Sequence, residues 1–434
     1  MIHDIDHPAL ARPVHASPRR MRLGLGARLV LAAALAVVGL SSGLSSAQAA
    51  GTAAPPAAPV AASCQVPAWP MWQTFMTHFI QPDGRVLDAS TPQQHSSSEG
   101  QSYGMFFALV AGDQAMFDKL WRWTVSNLAA GDIGNHLPAW YWGLQKDGRW
   151  GVLDTNSASD ADLWFAYVLL EAGERWQRAD YTRDAQLLLA RIETEEIAEL
   201  PGLGPMVLPG KNDFVRPDHL WQLNPSYLPV PVLRRLALAS PRGPWTRIAE
   251  NTAAMMAAVS PKGFVADWVS YRGTSPASGV FVVDPIKGDL GSYDAIRSYL
   301  WAGITPANDP LAAPMLRALD GMTTATAAAG TPPERIQTTT GTTTGSGPFG
   351  FSAALIPYFQ AKGQPWLADL QRRRVDAQLQ QSLLPERVRA RQPPYYDVVL
   401  SMFSLGWADD RYRFLSTGKV QLSWEKTCPR ATTR

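Results

Sequence analysis

Cysteine is nearly absent from this chain of 434 residues, which holds only Cys64 and Cys428. That excludes a small scaffold stapled by several bridges, and with no closely spaced Cys or His it argues against a metal site. An excess of charge of one sign is also lacking, since 39 Lys and Arg face 37 Asp and Glu, with 7 His. A chain with so weak a net field is a poor candidate for binding nucleic acid. The apolar run at residues 29–40 is too short to favour a bilayer-spanning helix. Alternating apolar and polar stretches, the mark of half-buried strands, are few.

What is present is a large apolar fraction, 46%, enough for one large core or two medium ones. The 16 Trp are more than a core alone requires. Flat indole faces are apolar platforms for pyranose rings, although half or more of these Trp are expected to act as core filler. Residues 19–50 read as a secretory signal: Arg19, Arg20, Arg22 and Arg28 precede the apolar run, and Ala47-Gln48-Ala49 forms a small-x-small cleavage site. Met21 is an alternative start to Met1 that gives a signal of ordinary length. Residues 51–63 are an Ala/Pro-rich linker, so the folded domain is expected over 64–428 with a tail at 429–434. Cys64 and Cys428 flank that domain. In an oxidising compartment they close one very long loop, a constraint of about 4–5 kcal/mol by chain entropy, or they stay as two free thiols.

Beyond Cys64 the pattern is helical. Six segments share a plan in which Gly, Ser, Pro, Asn and aromatic residues lead into a strongly apolar helix. They are SEGQSYGMFFALV from Ser98, SASDADLWFAYVLL from Ser157, NPSYLPVPVLRRL from Asn224, GSYDAIRSYLWAG from Gly291, GPFGFSAALIPYF from Gly347 and PPYYDVVLSMFSLGW from Pro393. They recur at roughly 45–70 residues, about the length of a helical hairpin with its loops. Helices apolar nearly all round are buried on all sides, so six of them separated by amphipathic helices predict two concentric rings, an all-α, single-domain (α/α)6 barrel. The inner helices of such a barrel run the same way and their N-termini converge. Glu99, Asp160, Asn224, Tyr227, Asp294 and Tyr396 then line one cleft. Residues 322–347, rich in Thr, Gly and Ala, are expected to form a long surface loop or irregular insertion.

Three acids on three converging helix starts, beside Tyr103, Tyr227, Tyr293 and Arg297, suit hydrolysis of a glycosidic bond with inversion. That reaction takes one protonated carboxyl and one ionised carboxylate roughly 6.5–9.5 Å apart. A helix N-terminus favours the anion, which suits a base; an acid such as Glu99 needs burial and a like charge, here Asp160, to hold its proton. Arg297, three residues after Asp294, is placed to keep Asp294 ionised.

SEGQSYGM at 98–105, ASDADLW at 158–164, NPSYL at 224–228 and SYDAIR at 292–297, supported by LPAWYWG, PGLGPMVLPGK and GPFGFSAA, resemble the motifs of glycoside hydrolase family 8 in their order. The resemblance runs from about residue 64 to 428 and is strongest to the periplasmic endoglucanases encoded with bacterial cellulose synthase. It implies inverting endo-β-1,4-glucanase activity, with Glu99 as general acid, Asp294 as general base, Asp160 binding and distorting the sugar, and Tyr227 holding the attacking water. It further implies Trp142 and Trp221 as stacking platforms, no cofactor, cellulose as partner, and export to the periplasm or beyond. Phe165 and Val168 depart from the family's usual residue types, on the body of a helix where packing is concerned more than chemistry. Relatives acting on xylan, chitosan or mixed-linkage glucan, and a noncatalytic glucan-binding component, are the alternatives.

Overall fold

The computed structural model describes residues 66–427. The signal segment, the linker, Cys64 and Cys428 lie outside these residues. In chain order the helices are α1 (Pro70–Phe79), α2 (Ser98–Ala111), α3 (Gln114–Leu128), α4 (Ser159–Arg175), α5 (Ala179–Glu195), α6 (Val230–Ala239) and α7 (Trp245–Val259). There follow α8 (Ala295–Ile304), α9 (Ala312–Ala318), α10 (Gly321–Ala329), α11 (Phe349–Ala361), α12 (Pro365–Ser382), α13 (Pro385–Ala390), α14 (Tyr395–Ala408) and α15 (Trp424–Thr427).

Each of the six motif segments leads into a helix that is buried along most of its length: α2, α4, α6, α8, α11 and α14. Their partners bury a single stripe. In α3 the stripe is Phe117, Leu120, Trp121, Thr124 and Leu128, and in α5 it is Tyr181, Ala185, Leu188, Leu189 and Ile192, both at helical spacing. The buried helices pack in sequence, α2 on α4, α4 on α6, α8 on α11 and α11 on α14. A short 3-10 turn, Pro225–Tyr227, packs against both α4 and α8. Phe403 of α14 closes the cycle against Phe106, Phe107 and Tyr103 of α2.

Aromatic rings fill the centre of this cycle. Trp164 has its ring centre 5.0 Å from Phe106, 5.5 Å from Phe403 and 5.6 Å from Trp301. Each such buried ring contributes about 1.5–3 kcal/mol of burial free energy. Phe165, one of the departures from family usage, is fully buried and packs 5.7 Å from Trp121. Where α8 crosses α11 the backbones nearly touch, because a Cβ on Gly303 would run into the amide nitrogen of Tyr358. The hairpin of Tyr412–Phe414 and Val420–Leu422 is pinned to α4 and α6. Fully buried Glu171 accepts from Arg175 at 2.9 Å, from Arg235 at 2.5 Å and from the Val420 amide at 2.8 Å.

Two features differ from expectation. The described residues hold fourteen strands, the longest Val269–Ser275, grouped in small antiparallel sheets between the helices. Most span two to five residues, too short for a period-two pattern to register in sequence. The Thr-rich stretch, expected as an irregular insertion, forms α10 and then a hairpin of Arg335–Gln337 and Thr342–Thr344 that pairs with Leu290–Gly291 just before Asp294. No helix among the described residues is long and apolar enough to cross a membrane.

Candidate active site

The starts of α2, α4 and α8 are built differently. Ser97 caps α2, its hydroxyl accepting the Gly100 amide at 3.0 Å, so that Glu99 falls in the first turn. At α4 no side chain caps the helix, and Asp160 instead accepts the amide of Ala161 at 2.8 Å. At α8 Asp294 occupies the cap position without capping. The amides there are taken by Asp267, whose Oδ1 accepts from Ser292 at 2.8 Å and Ala295 at 2.7 Å.

Arg297 ties these ends together. Its guanidinium is buried, with Nη1 3.0 Å from Oε2 of Glu99, and Nη2 3.1 Å from Oδ1 of Asp294 and 3.9 Å from Oδ2 of Asp160. Nη2 also donates to Ser226 Oγ at 3.0 Å, and the guanidinium carbon lies 5.9 Å from the ring centre of Tyr227. The sequence suggested a pairing with Asp294; the fold makes Arg297 the hub of all three acids. Burial alone would depress the guanidinium pKa, but the acidic groups around it, Glu99 first, more than offset this and raise it.

The carboxyls differ in environment. The Asp160 side chain is 3% exposed, against 22% for Glu99 and 31% for Asp294. Burial, and next the charge of Glu99, push Asp160 well above the usual carboxylate range, although Arg297 opposes the shift. Oδ2 of Asp160 has no hydrogen-bond donor among the described residues. Asp294 meets donors instead, Arg297 on one oxygen and the Asn224 amide at 3.4 Å on the other. Asn224 is itself fixed, its Oδ1 accepting the amide and hydroxyl of Ser226 at 3.0 and 2.7 Å.

Around this core the structure places the remaining predicted residues as follows. Tyr103 is buried below the acids, edge-on to Trp164 and Phe403. Tyr227 and Tyr396 are half-buried, and Tyr396 donates to the carbonyl of Tyr293 at 2.5 Å. Burial raises the pKa of all three phenols, so they stay neutral donors. Trp142 stands in the strand Tyr141–Leu144, which pairs with Ser96–Ser97 at the foot of α2, and its ring is engaged by Trp150, Trp123 and the Arg85 guanidinium. Trp221 lies in a four-stranded sheet against Tyr271, with no contact to the three acids in evidence.

Sequence reasoning passed over Asp267, Ser226, Trp268 and Tyr395. Burial and the charge of Asp294 push Asp267 up to about 7. Trp268 sits between Phe214 and Tyr227, ring centres 6.2 Å from each. The Tyr395 hydroxyl is buried without a partner beside Gly100, where a Cβ would stand 2.5 Å from it. An acid followed by an aromatic in VADW was the one available signal, and nothing local linked it to Asp294, 27 positions on.

Acids on converging helix starts, a buried arginine between them and aromatic walls are the equipment of an enzyme that hydrolyses bonds between sugars. Comparison with known proteins agrees. The sequence profile of glycosyl hydrolases family 8 matches residues 52–410. The chain belongs to this family and is a glycoside hydrolase. It is 52% identical over 374 residues to an endoglucanase of Pseudomonas fluorescens (strain SBW25), covering 85% of this chain and 94% of that protein. An endoglucanase of Escherichia coli (strain K12) is 41% identical over 363 residues, covering 83% and 92%. Among solved structures, the endo-1,4-D-glucanase from Vibrio fischeri ES114 is similar with a TM-score of 0.75 at 38% identity, covering 82% of this chain and 99% of that one.

Proposed function

We propose that this glycoside hydrolase is an endo-β-1,4-glucanase that cuts cellulose internally with inversion, on an (α/α)6 barrel spanning residues 64–428. The observation that carries the reading is the bridging of Glu99 and Asp294 by opposite nitrogens of one buried guanidinium. The two carboxyls are then separated by no more than one guanidinium and two hydrogen bonds. That is compatible with the roughly 6.5–9.5 Å an inverting pair needs to admit water and sugar.

In this mechanism Glu99 gives its proton to the glycosidic oxygen as the bond to the anomeric carbon breaks. Asp294 takes a proton from the water that attacks that carbon from the opposite face. Asp160, next to Glu99, holds the distorted ring, and Tyr227 orients the water from beside Arg297. Asn224, Tyr103 and Tyr396 keep the cluster in register, with Trp142 and Trp221 as sugar platforms farther along the chain. The endoglucanase relatives support β-1,4-glucan as substrate. The signal at 19–50 would send the protein to the periplasm or outside the cell, where it acts as a monomer trimming cellulose during synthesis and export.

The test is hydrolysis of cello-oligosaccharides followed by NMR of the new reducing end, with Asp294→Asn alongside. First release of the α-anomer, lost in the variant, is the expected result. First release of the β-anomer would overturn inversion, and no cleavage of any β-glucan, xylan or chitosan would favour a glucan-binding role.

A further inference from the structure

Behind the start of α4 lies a second carboxyl pair that this chemistry does not use. Asp162, two residues past Asp160, and Glu196, which follows α5, are both fully enclosed, and their carboxyls adjoin each other. Neither oxygen of Asp162 receives a donor, and nor does Oε2 of Glu196. Three of the four oxygens therefore stay unsatisfied in the interior unless a proton lies between the two carboxyls. The other charged groups bearing on the pair are Asp160 on α4, Glu195 at the end of α5 and Lys211 in the loop after Gly204–Val207.

The pair sits at the base of a ladder that holds the entry to α4. The Ser157 hydroxyl donates to Oε1 of Glu196 at 2.6 Å and accepts the Lys211 amide at 3.0 Å. The Ser159 amide donates to the Pro209 carbonyl at 3.0 Å, and the Leu208 amide to the Glu196 carbonyl at 2.7 Å. Asn156 and Asn212 exchange two bonds, at 3.1 and 3.2 Å. Because α4 has no side-chain cap of its own, residues 196–212 do the work of fixing its first turn.

We propose that Asp162 and Glu196 form a carboxylic acid–carboxylate pair sharing one proton, and that this pair is a positioning device holding the first turn of α4, and with it Asp160, in place. The consequence for catalysis rests on the placing of Asp160 in the reacting site; the shared proton does not. Burial pushes Glu196 up to about 7. Burial and then the charge of Glu196 push Asp162 well above the usual carboxylate range. Both groups are raised above their unfolded values, so their contribution to stability is present at low pH and is lost as pH rises through the folded values. Above about 7 the remaining loss belongs to the last proton of the pair.

The experiment is urea unfolding of the whole protein across a pH series, with Asp162→Asn and Glu196→Gln beside the wild type. This proton is expected to contribute about a tenfold rise per pH unit above neutrality to the wild-type unfolding constant, beside the contribution of Asp160. In Asp162→Asn, whose amide donates to Glu196 permanently, the rise is expected to be shallower than in the wild type by about that tenfold per pH unit. An Asp162→Asn curve parallel to the wild type would overturn the proposal. If that variant does not fold, Glu196→Gln is read in the same way, its amide donating to Asp162. Should neither fold, infrared titration of Asp160→Asn, which removes the other strongly raised carboxyl of α4, decides: a protonated-carboxyl carbonyl band that persists past neutrality supports the pair, and its absence overturns it. These stability and infrared readouts do not depend on activity, so failure of the glucanase reading would be seen separately.

Discussion

Replacing Arg297 by Lys keeps the charge at the centre of the site and removes the fork. In the structure one guanidinium reaches Glu99 at 3.0 Å, Asp294 at 3.1 Å and Ser226 at 3.0 Å, with Asp160 at 3.9 Å. At an effective dielectric of about 20, a unit charge pair at such a distance attracts by about 5–6 kcal/mol before desolvation, and desolvation takes back much of that. The net contribution of one hydrogen bond to a charged group is about 1.5–3 kcal/mol. An ammonium on a shorter stem cannot hold Glu99 and Asp294 together, so at least one such bond is lost and the carboxyls separate. Arg297→Lys is therefore expected to lose about 1.5–3 kcal/mol of stability. Its kcat should fall by about 10²-fold or more, since a displacement of about 1 Å at reacting groups has that effect. Arg297→Met, which leaves three carboxyls without their cation, should lose more, about 3–5 kcal/mol. Urea unfolding and steady-state kinetics on a soluble β-glucan measure both quantities. A Lys variant with kcat within about threefold of wild type would show that charge suffices, and would refute the argument that the fork sets the geometry.

Other expectations follow from particular contacts. Glu171→Gln removes the anion shared by Arg175 and Arg235, leaving them Glu425 at 3.2 Å and Glu174 at 3.6 Å, and should lower stability by about 1.5–3 kcal/mol in urea unfolding, with kcat of the folded enzyme unchanged because the clamp lies away from the acids. Gly303→Ala forces α8 and α11 apart, at a cost of about 1–3 kcal/mol or more, read as a lowered unfolding midpoint. Asp267 is raised to about 7 by burial and by Asp294, so its stabilising effect is present in acid and lost as pH rises through that value. Asp267→Asn keeps the acceptor for Ser292 and Ala295 but not this loss, so the stability difference from wild type should shift in the variant's favour between about pH 5 and about pH 8. An unchanged difference across that range would count against the assignment.

The comparison of sequence with structure turns on how local each signal is. Residues such as Met105 to Val110 are apolar on every face of their helix, and that pattern, preceded by Ser96-Ser97-Ser98, announces a buried helix and its start from local information alone. The stripes of α3 and α5 are equally local. Glu99, Asp160 and Asp294 stood out because each is an acid in the first turn of such a helix or at its cap. Short strands did not stand out, since a pair such as Ser96–Ser97 has no periodicity and exists only because Tyr141 and Trp142 come to lie beside it.

By itself the sequence determined six apolar helices buried nearly all round and the acids that head three of them, because propensity, capping and periodicity act over a few residues. Tertiary structure alone decided that Arg297 serves three carboxyls and not one, that Asp267 holds the amides in front of Asp294, that Trp142 is packed by Trp150 and Arg85, and that Asp162 faces Glu196. Most of these join residues far apart in the chain. The free energy of each depends on burial and on the exclusion of other partners, and both come into being only when the helices close around one core.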